Sequence, residues 1–442
     1  MRIAIVGGGV SGNVAAYRLS SNHEVTLFEA GSYLGGHTNT VDVESDGQSI
    51  AVDTGFIVFN DRTYPNFIQI LDELGVESQE TQMTFSVSCA DSGLEYRGAD
   101  WGGLFAQRRN FLNFKFHGLL RSLLRFNKLG QSLLESGVES EETVREFLNR
   151  HRFSDYFARR YLMPMGAAVW SCPFEKFLDF PIQFIAEFFH NHGLLSVTNR
   201  PQWRVIKGGS QEYVKKLSES WRDRIRLNTR VVAIERNDQT VKIRTENEDW
   251  EEFDHVVLAC HADQALNILR NQATSTEREI LSAFPYQPNV ATLHTDTSTL
   301  PRCKRAWACW NYYNPPMDSQ VHHDQAAATV TYNMNLLQSL NCSDVFCVTL
   351  NDDGRIAPEK IISQFNYHHP TFDLRQRPMQ ARQPELINRN RTSFCGAYWG
   401  SGFHEDGVKS ALNVVDGLTD PDSRLRSIPT PSSSLPLAGG NE

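Results

Sequence analysis

"RIAIVGGGVSGNVAAYRLSS", residues 2–21, joins a short apolar run to a glycine turn and a helix-like segment. Gly7, Gly9 and Gly12 have GxGxxG spacing, and Val10 and Ser11 stand in the first turn of the expected helix. The glycines allow a tight turn and a close approach of phosphate, and the first N–H groups of the helix attract the anion. The pattern predicts a dinucleotide-binding unit of an α/β fold.

The second expected strand, "EVTLFEA" at residues 24–30, carries Glu29, which lies 17 residues after Gly12. A carboxylate at that distance can accept a hydrogen bond from a ribose hydroxyl. The strand, the helix and the acid together make this GxGxxG more specific than the glycines alone. The predicted ligand is therefore a dinucleotide.

"GSYLGGHTNTV", residues 31–41, follows directly and places Gly35 and Gly36 in an E-x5-GG-[RH]-x-x-T pattern. This pattern resembles the flavin-containing amine oxidase and phytoene desaturase superfamily. Three further segments resemble the same superfamily: "IKGGSQEYVKKLSE" (206–219), "RVVAIERNDQTVKIRTENEDWEEFDHVVLAC" (230–260) and "CGAYWGSGFHEDGVKSAL" (395–412). The resemblance implies a Rossmann-like FAD-binding domain and a discontinuous substrate domain built from an antiparallel sheet and helices.

The resemblance also implies FAD as the cofactor and a set of residues that bind it. His37 belongs to this set and stands where many relatives carry Arg. A helix expected to begin at about Asp406 to Val408 would direct N–H groups at the flavin C2 carbonyl, where negative charge develops. The implied FAD-binding residues are Gly7, Gly9, Val10, Ser11, Gly12, Glu29, Gly35, Gly36, His37, Thr38, Thr54, Gly55, Val231, Val232, Gly396, Gly407 and Val408.

The domain boundaries follow from the same motifs. The FAD-binding domain is expected at residues 1–60, 197–265 and 385–420. The substrate-binding domain is expected at 61–196, which has helical periodicity, and at 266–384, which has strand-like runs. The Ser/Pro/Gly-rich tail at 421–442 has little to bury, and we expect it to be disordered.

A narrower resemblance concerns function. Residues 188–214 and 394–408 resemble bacterial FAD-binding oxidoreductases encoded beside cyclopropane-fatty-acyl-phospholipid synthases. This implies oxidation or desaturation of a methyl-branched or cyclopropane-related phospholipid acyl chain by hydride transfer to flavin N5. A base must take the second proton, and His404 and Glu405 are the candidates because they lie next to the expected flavin-facing turn.

Two other functions remain open. One is a flavin amine oxidase acting on a soluble amine, although no Lys occurs from Val290 to Pro301, where such enzymes usually carry one and Thr292 stands instead. The other is a flavin-bearing accessory subunit that binds a lipid methyltransferase partner.

The composition excludes some function classes. With 43 basic and 52 acidic residues and a formal net charge of -9, the chain lacks the basic excess of a general nucleic-acid binder. No apolar run approaches the roughly 20 residues needed to span a bilayer. The eight scattered cysteines and the histidines show no metal-ligand spacing, so we expect no metal site and a reducing, cytoplasmic location.

One stretch differs from this acidic background. "LFAQRRNFLNFKFHGLLRSLLRFNK", residues 104–128, contains six Lys or Arg and no acid. A helical wheel puts Leu112, Phe116, Leu119, Leu120, Leu123 and Leu124 on one face and Arg121, Arg125 and Lys128 on the other. The pattern predicts a peripheral helix on an anionic membrane, and a helix that packs its apolar face on the core is the alternative.

Overall fold

The computed structural model describes residues 1–98, 100–137, 141–170, 172–196, 200–247, 249–315 and 329–419. The strands within these ranges are β1 (Arg2–Val6), β2 (Glu24–Phe28), β3 (Thr40–Ser45), β4 (Gln48–Asp53), β5 (Phe59–Asn60), β6 (Ser78–Thr81), β7 (Phe85–Cys89), β8 (Glu95–Arg97), β9 (Trp203–Ile206), β10 (Ile225–Arg226), β11 (Val231–Arg236), β12 (Val241–Thr245), β13 (Glu251–Phe253), β14 (His255–Leu258), β15 (Tyr286–His294), β16 (Trp310–Asn314), β17 (Thr329–Asn333), β18 (Cys347–Leu350), β19 (Ile361–Pro370) and β20 (Thr392–Phe394).

Helices connect and cover these strands. They are α1 (Val10–Leu19), α2 (Pro65–Leu74), α3 (Trp101–Leu104), α4 (Phe114–Glu135), α5 (Val144–Arg150), α6 (Asp155–Phe157), α7 (Met163–Trp170), α8 (Phe174–Leu178), α9 (Ile182–Asn191), α10 (Gln211–Ser218), α11 (Ala262–Leu269), α12 (Ser275–Leu281), α13 (Met334–Leu337), α14 (Gln376–Gln380) and α15 (His404–Thr419). No helix of the described ranges is long and apolar enough to cross a membrane.

A five-stranded parallel sheet has the order β10-β2-β1-β14-β20, with β1 at its centre. Residues 3–6 of β1 are all buried, because both faces of the strand are covered. Ile3 and Ile5 pack with apolar residues of α1, α10 and α15, whereas Ala4 and Val6 pack with those of β11, β12, α11 and α12. A strand buried on both faces carries a continuous apolar run, which explains "IAIV".

A seven-stranded sheet has the order β19-β15-β18-β17-β16-β7-β8. Its pairs are antiparallel except for the parallel pair of β16 and β7. Residues of this sheet and of helices α4 to α9 share the largest apolar cluster of the described chain. The strand-like runs expected after residue 266 therefore form one sheet, as predicted.

The predicted fold class is confirmed. In the segment 61–196, which has helical periodicity, Phe67 and Leu71 lie in α2, and Gly75 follows its end with φ +63°, a left-handed conformation that favours glycine. In the same segment α9 begins directly after Pro181. The domain boundaries remain predictions, and the tail 421–442 lies outside the described residues.

Helix α4 corrects the wheel-based prediction for residues 104–128. Phe116 and Leu119 are 0% and 1% exposed and belong to the core, so this part of the apolar face does not reach lipid. Arg125 donates to the His151 carbonyl at 2.6 Å and lies over the Phe153 ring. The burial of Phe116 and Leu119 agrees with the alternative, a helix packed on the core, and membrane binding of the stretch remains a prediction.

Candidate functional site

A cavity of 1330 Å³ lies where the carboxyl ends of β1, β2 and β14 face β19 of the seven-stranded sheet. Sites for a single small molecule usually enclose about 300–1,000 Å³. This cavity therefore has room for a large cofactor and a second ligand. We call its two parts the dinucleotide end, lined by residues 7–11, 29, 35–37, 231 and 232, and the apolar arm, lined by Leu120, Leu123, Met165, Val169, Phe188 and Tyr332.

The glycine turn forms the floor of the dinucleotide end. A methyl group added at Gly12 would lie 1.9 Å from the Gly7 carbonyl oxygen, so the helix can approach the strand only without a side chain there. Gly7 has φ +109°, which side chains rarely adopt. Gly9 precedes α1 and has open space where a methyl group would point. Gly9, Val10 and Ser11 line the cavity beside the helix N-terminus, and Gly12 is buried behind them.

Glu29 follows β2 directly and lines the same end. Its Oε2 accepts from the Gly8 N–H at 2.7 Å, and its Oε1 accepts from the Gly31 N–H at 2.6 Å. Two backbone donors thus fix the carboxylate, and each oxygen keeps a lone pair for a ribose hydroxyl.

The second glycine pair brings a loop against this turn. A methyl group at Gly35 would lie 2.3 Å from the Thr38 carbonyl oxygen, and one at Gly36 would lie 3.2 Å from the Gly9 Cα. Gly35, Gly36 and His37 line the cavity. Thr38 does not: it is fully buried, and its Oγ1 lies 2.7 Å from the Tyr213 hydroxyl and 2.9 Å from His404 Nε2.

Four histidines surround the dinucleotide end. The rings of His37 and His369 lie 5.2 Å apart, and those of His261 and His368 lie 6.0 Å apart. All four line the cavity. Sequence reasoning found only His37, because the others come from the end of β14 and from β19. The "HH" of residues 368–369 in a strand was the available signal.

Burial sets the charge of three of these rings. Burial, followed by the neighbouring His261 and His368, lowers the pKa of His37 to about 4. Burial, followed by the neighbouring histidines, likewise lowers the pKa of His261 to about 4 and that of His369 to about 3. Asn289 Nδ2 donates to His369 Nδ1 at 2.9 Å, which leaves the proton of the neutral ring on Nε2. The rings of His37, His261 and His369 are therefore neutral near pH 7.

The remaining predicted residues of this end lie at its walls. Thr54 and Gly55 line the cavity, and Thr54 Oγ1 lies 3.0 Å from the Tyr367 hydroxyl. Val231 and Val232 line it from the beginning of β11.

The end as a whole fits FAD. Gly9 leaves open space at a helix N-terminus, and Glu29 is held as an acceptor. The buried Nε2 of His37 has no hydrogen-bond partner among the described residues. These are the features that a diphosphate and a ribose require.

The C-terminal motif differs from the expectation in one respect. Gly396 lines the cavity, but α15 begins at His404, earlier than the predicted start at Asp406 to Val408. The Gly407 N–H already donates to the Phe403 carbonyl at 3.1 Å, and neither Gly407 nor Val408 lines the cavity. A methyl group at Gly407 would lie 2.7 Å from Val10 Cγ1. Gly407 therefore lets α15 pack against α1, and its N–H is not free for a flavin carbonyl.

His404, the first candidate base, is held inside the protein. Its ring stacks on Phe56 at 3.5 Å, and its Nε2 lies 2.9 Å from Thr38 Oγ1 and 3.1 Å from the Tyr213 hydroxyl. Burial holds its pKa well below the usual histidine range. Although the residue borders the cavity, this nitrogen is engaged by two hydroxyls. The contacts of Nε2 therefore fix the ring to the buried Thr38 and Tyr213 side chains.

Glu405, the second candidate, points away from the main cavity. Its carboxylate accepts from the N–H groups of Asn66 at 3.1 Å and Phe67 at 2.9 Å, in the first turn of α2. Burial raises its pKa, although these amide donors oppose the shift. Glu405 therefore joins α15 to α2, and it does not line the main cavity.

His192, at the end of α9, lies in the apolar arm. It stacks on Phe188 at 3.8 Å, and its Nδ1–H donates to the Phe188 carbonyl at 2.8 Å. Nε2 is consequently the unprotonated nitrogen of the neutral ring. Burial lowers its pKa to about 4, so the ring is neutral at pH 7 and Nε2 carries a free lone pair.

The other residues of the arm are mostly apolar and aromatic, and Asn127 of α4 also lines the cavity. Residues of α4 and α7 line one side, and Trp310 and Tyr332 of the seven-stranded sheet line the other. No lysine is among the described residues that line the cavity. Thr292, expected near the flavin, is buried within the sheet and does not line it. The described residues contain no group of three or more His, Cys, Asp or Glu that could hold a metal ion.

Known proteins share this architecture. A putrescine oxidase variant superposes with a TM-score of 0.65 at 13% identity, covering 95% of this chain and 99% of that one. A fatty acid isomerase from P. acnes that produces CLA superposes with a TM-score of 0.65 at 16% identity, covering 95% and 98%. At these identities the likeness shows the fold alone.

Curated relatives include a flavin-containing amine oxidase and an L-amino-acid oxidase. The amine oxidase of Danio rerio is 24% identical over 288 residues, which are 61% of this chain and 53% of the relative. The L-amino-acid oxidase of Pseudechis australis is 22% identical over 257 residues, 55% of this chain and 46% of the relative. The chain thus spans about half the length of the curated relatives it matches.

The profile of one family, flavin containing amine oxidoreductase, matches residues 10–302. The match covers α1, the second glycine pair, β11 and β14, which are among the elements that build the dinucleotide end. The chain belongs to the flavin-containing amine oxidoreductase family.

Proposed function

We propose that this protein is an FAD-dependent oxidoreductase that oxidises or desaturates a fatty acyl chain. The observation that carries the proposal is the apolar arm, which continues from the FAD-binding end between α4, α7 and the seven-stranded sheet. Its lining supplies aliphatic and aromatic side chains and no lysine among the described residues. An elongated apolar substrate fits such a space better than a small cation.

Binding in the arm requires no polar handle on the substrate. Each buried CH2 group contributes about 0.8 kcal/mol, so an acyl chain gains affinity along its length. Because an unsubstituted C–H bond gives up hydride reluctantly, a methyl branch, cyclopropane ring or double bond in the chain would ease the reaction. We therefore propose a methyl-branched or cyclopropane-related acyl group.

Bound FAD would supply the two-electron acceptor for the hydride. The FAD would be held by the N-terminus of α1, by Glu29 and by the histidines of the dinucleotide end. The apolar lining would exclude water and hold the chain. His192 replaces His404 and Glu405 as the proposed base, because its Nε2 can take the proton from the carbon next to the one that loses hydride.

The test is anaerobic reduction of the purified, FAD-loaded protein. Branched, cyclopropane and straight-chain acyl compounds are offered in detergent, and bleaching of the flavin absorbance is followed with mass analysis for loss of two hydrogens. We expect reduction by an acyl compound. Val169→Trp, which fills the arm, should slow it at least tenfold, whereas Leu227→Trp on the surface should not. Flavin that no acyl compound reduces would refute the proposal.

A soluble amine is the second candidate substrate, because relatives such as the Danio rerio protein are amine oxidases. The same assay separates the two functions. Flavin reduced by primary or secondary amines, and by no acyl compound, would assign the amine oxidase function.

A further inference from the structure

The surface beside the apolar arm exposes large apolar side chains. Among the described residues, the five that are more than half exposed all lie between positions 101 and 124. They are Trp101 (76%), Phe111 (57%), Leu112 (85%), Phe114 (86%) and Leu124 (58%). Soluble proteins rarely expose such a group without an interaction partner.

This exposure is built by buried contacts. The ring of Phe105, only 6% exposed, stacks between Trp101 at 6.0 Å and Phe111 at 4.0 Å. His117 Nε2–H donates to the Phe111 carbonyl at 2.9 Å and ties the loop to α4. These buried contacts therefore fix the positions of the exposed rings.

Cations surround the exposed side chains. Arg108, Arg109 and Lys115 are exposed, and none pairs with a carboxylate of the described residues. No Asp or Glu occurs from 101 to 134, and Asp100 is already paired with Arg97 at 2.6 Å. A second basic segment with exposed Lys304 and Arg305 packs against α3. The local positive charge contrasts with the net charge of -9.

The same surface borders the opening of the cavity. Trp101, Leu104 and Leu124 line the cavity, and Trp101 and Leu124 are also largely exposed. A side chain that meets both the cavity and the solvent marks the place where the cavity opens. The apolar side chains and cations therefore lie beside the entrance to the apolar arm.

We propose that the docking surface, defined as Trp101, Phe111, Leu112 and Phe114 with Arg108, Arg109 and Lys115, binds an anionic lipid layer and holds the open arm against it. Aromatic and leucine side chains enter the boundary between headgroups and acyl chains, and cations attract anionic headgroups. The proposal of lipid binding depends only on the residues of the docking surface, whereas the use of the opening by acyl substrates rests on the proposed function. The location corresponds to the one predicted from the sequence, but the surface is different: it lies before α4 and in its first turn instead of running along the helix.

The experiment is co-sedimentation of the FAD-loaded protein with vesicles. One set contains phosphatidylglycerol and phosphatidylcholine in equal parts, and the other contains phosphatidylcholine alone. The variants are a charge reversal, Arg108→Glu with Arg109→Glu and Lys115→Glu, and an apolar loss, Leu112→Asp with Phe114→Asp. Matched controls carry the same changes elsewhere: Lys215→Glu, Lys216→Glu and Arg222→Glu for charge, and Leu227→Asp and Trp250→Asp for the apolar loss. Flavin content and thermal midpoint verify folding.

We expect wild type and both controls to bind the anionic vesicles. At about 1 kcal/mol for each cation, the charge reversal should weaken binding more than a hundredfold, and the apolar loss should weaken it at least tenfold. Equal binding by all proteins, or binding that does not require anionic lipid, would overturn the proposal. A dimer that depends on Leu112 and Phe114 would assign the surface to a second copy of the chain instead.

The docking proposal and the proposed function fail differently. Acyl compounds in detergent should still reduce the flavin of both docking variants, because none of the substituted residues lines the cavity. Vesicle binding without acyl-dependent reduction would refute the function alone. Reduction in detergent without vesicle binding would refute the docking surface alone.

Discussion

Replacing Glu29 by Gln tests whether the carboxylate after β2 holds the cofactor. The substitution keeps the size of the side chain but exchanges one acceptor oxygen for an NH2 group. Both oxygens of Glu29 accept backbone N–H groups, from Gly8 at 2.7 Å and Gly31 at 2.6 Å. One of these donors would then face another donor, and the remaining oxygen would be neutral. A hydrogen bond from a ribose hydroxyl to a charged acceptor would be lost or weakened.

The expected loss of FAD affinity follows from the hydrogen bond between the ribose hydroxyl and Glu29. A hydrogen bond to a charged group is worth about 1.5–3 kcal/mol, which corresponds to a rise of about 10- to 150-fold in the FAD dissociation constant. The dissociation constant is measured by titrating the apoprotein with FAD and monitoring the quenching of flavin fluorescence. The matched control is Glu24→Gln at the beginning of β2, because Glu24 is exposed and its ion pair is with Arg2 at 3.6 Å. A change below twofold for Glu29→Gln would show that this carboxylate does not hold the ribose.

Three other predictions concern pH, a buried ion pair and the glycine turn. The pKa of His37 is about 4 in the free protein, and a diphosphate beside it would raise that pKa; FAD binding then takes up protons. The FAD dissociation constant should fall as pH is lowered from 7 to 5, by up to about tenfold per pH unit for each proton. His37→Gln should flatten this pH dependence in the fluorescence titration. A pH dependence unchanged by the substitution would exclude His37 as the group that takes up the proton. Arg236→Met should lower the free energy of unfolding, measured in urea, by about 3–5 kcal/mol, because it leaves Glu277, 3% exposed, without its ion-pair partner at 2.6 Å. Adding Glu277→Leu should restore most of this free energy. If stability does not recover, an uncompensated buried charge is not the cause of the loss. Gly12→Ala should abolish FAD retention during purification, since the added methyl group would lie 1.9 Å from a carbonyl oxygen, and a fully yellow variant would contradict this geometry.

The dinucleotide end could be predicted where its determinants are local. Gly7, Gly9 and Gly12 fall within six residues, and their spacing alone requires a tight turn between a strand and a helix. The same holds for Gly35 and Gly36, where the turn needs positive φ. Patterns of this kind depend on the chain's immediate neighbours, so they can be read without the tertiary structure.

The grouping of the four histidines could not be predicted from local patterns. His37, His261 and the pair at 368–369 approach one another only because β14 pairs with β1 and β19 crosses to the other side of the cavity. No spacing within a short stretch of sequence indicates that these histidines lie close together. His404 and Glu405 illustrate a related difficulty, because proximity to a motif does not determine the direction of a side chain in the first turn of a helix.

The basic stretch shows a third difficulty. A helical wheel finds an apolar face but not the element that covers it: Phe116 is 0% exposed, whereas Leu112 and Phe114, outside or at the beginning of the helix, are 85% and 86% exposed. The cytoplasmic location and the methyltransferase partner remain predictions.

The position of β20 at the edge of the parallel sheet has a consequence for synthesis of the protein. β1 is made first, but its neighbour β14 gains its second partner only when residues 392–394 emerge, and α1 is covered only when α15 follows. Until then a nascent chain presents an unpaired strand edge and an uncovered helix face, the conditions under which chains aggregate or recruit chaperones. Truncation before residue 404 should therefore yield insoluble material even though every glycine of the first turn is present, and yield in a heterologous host should depend on chaperone supply and on slow synthesis.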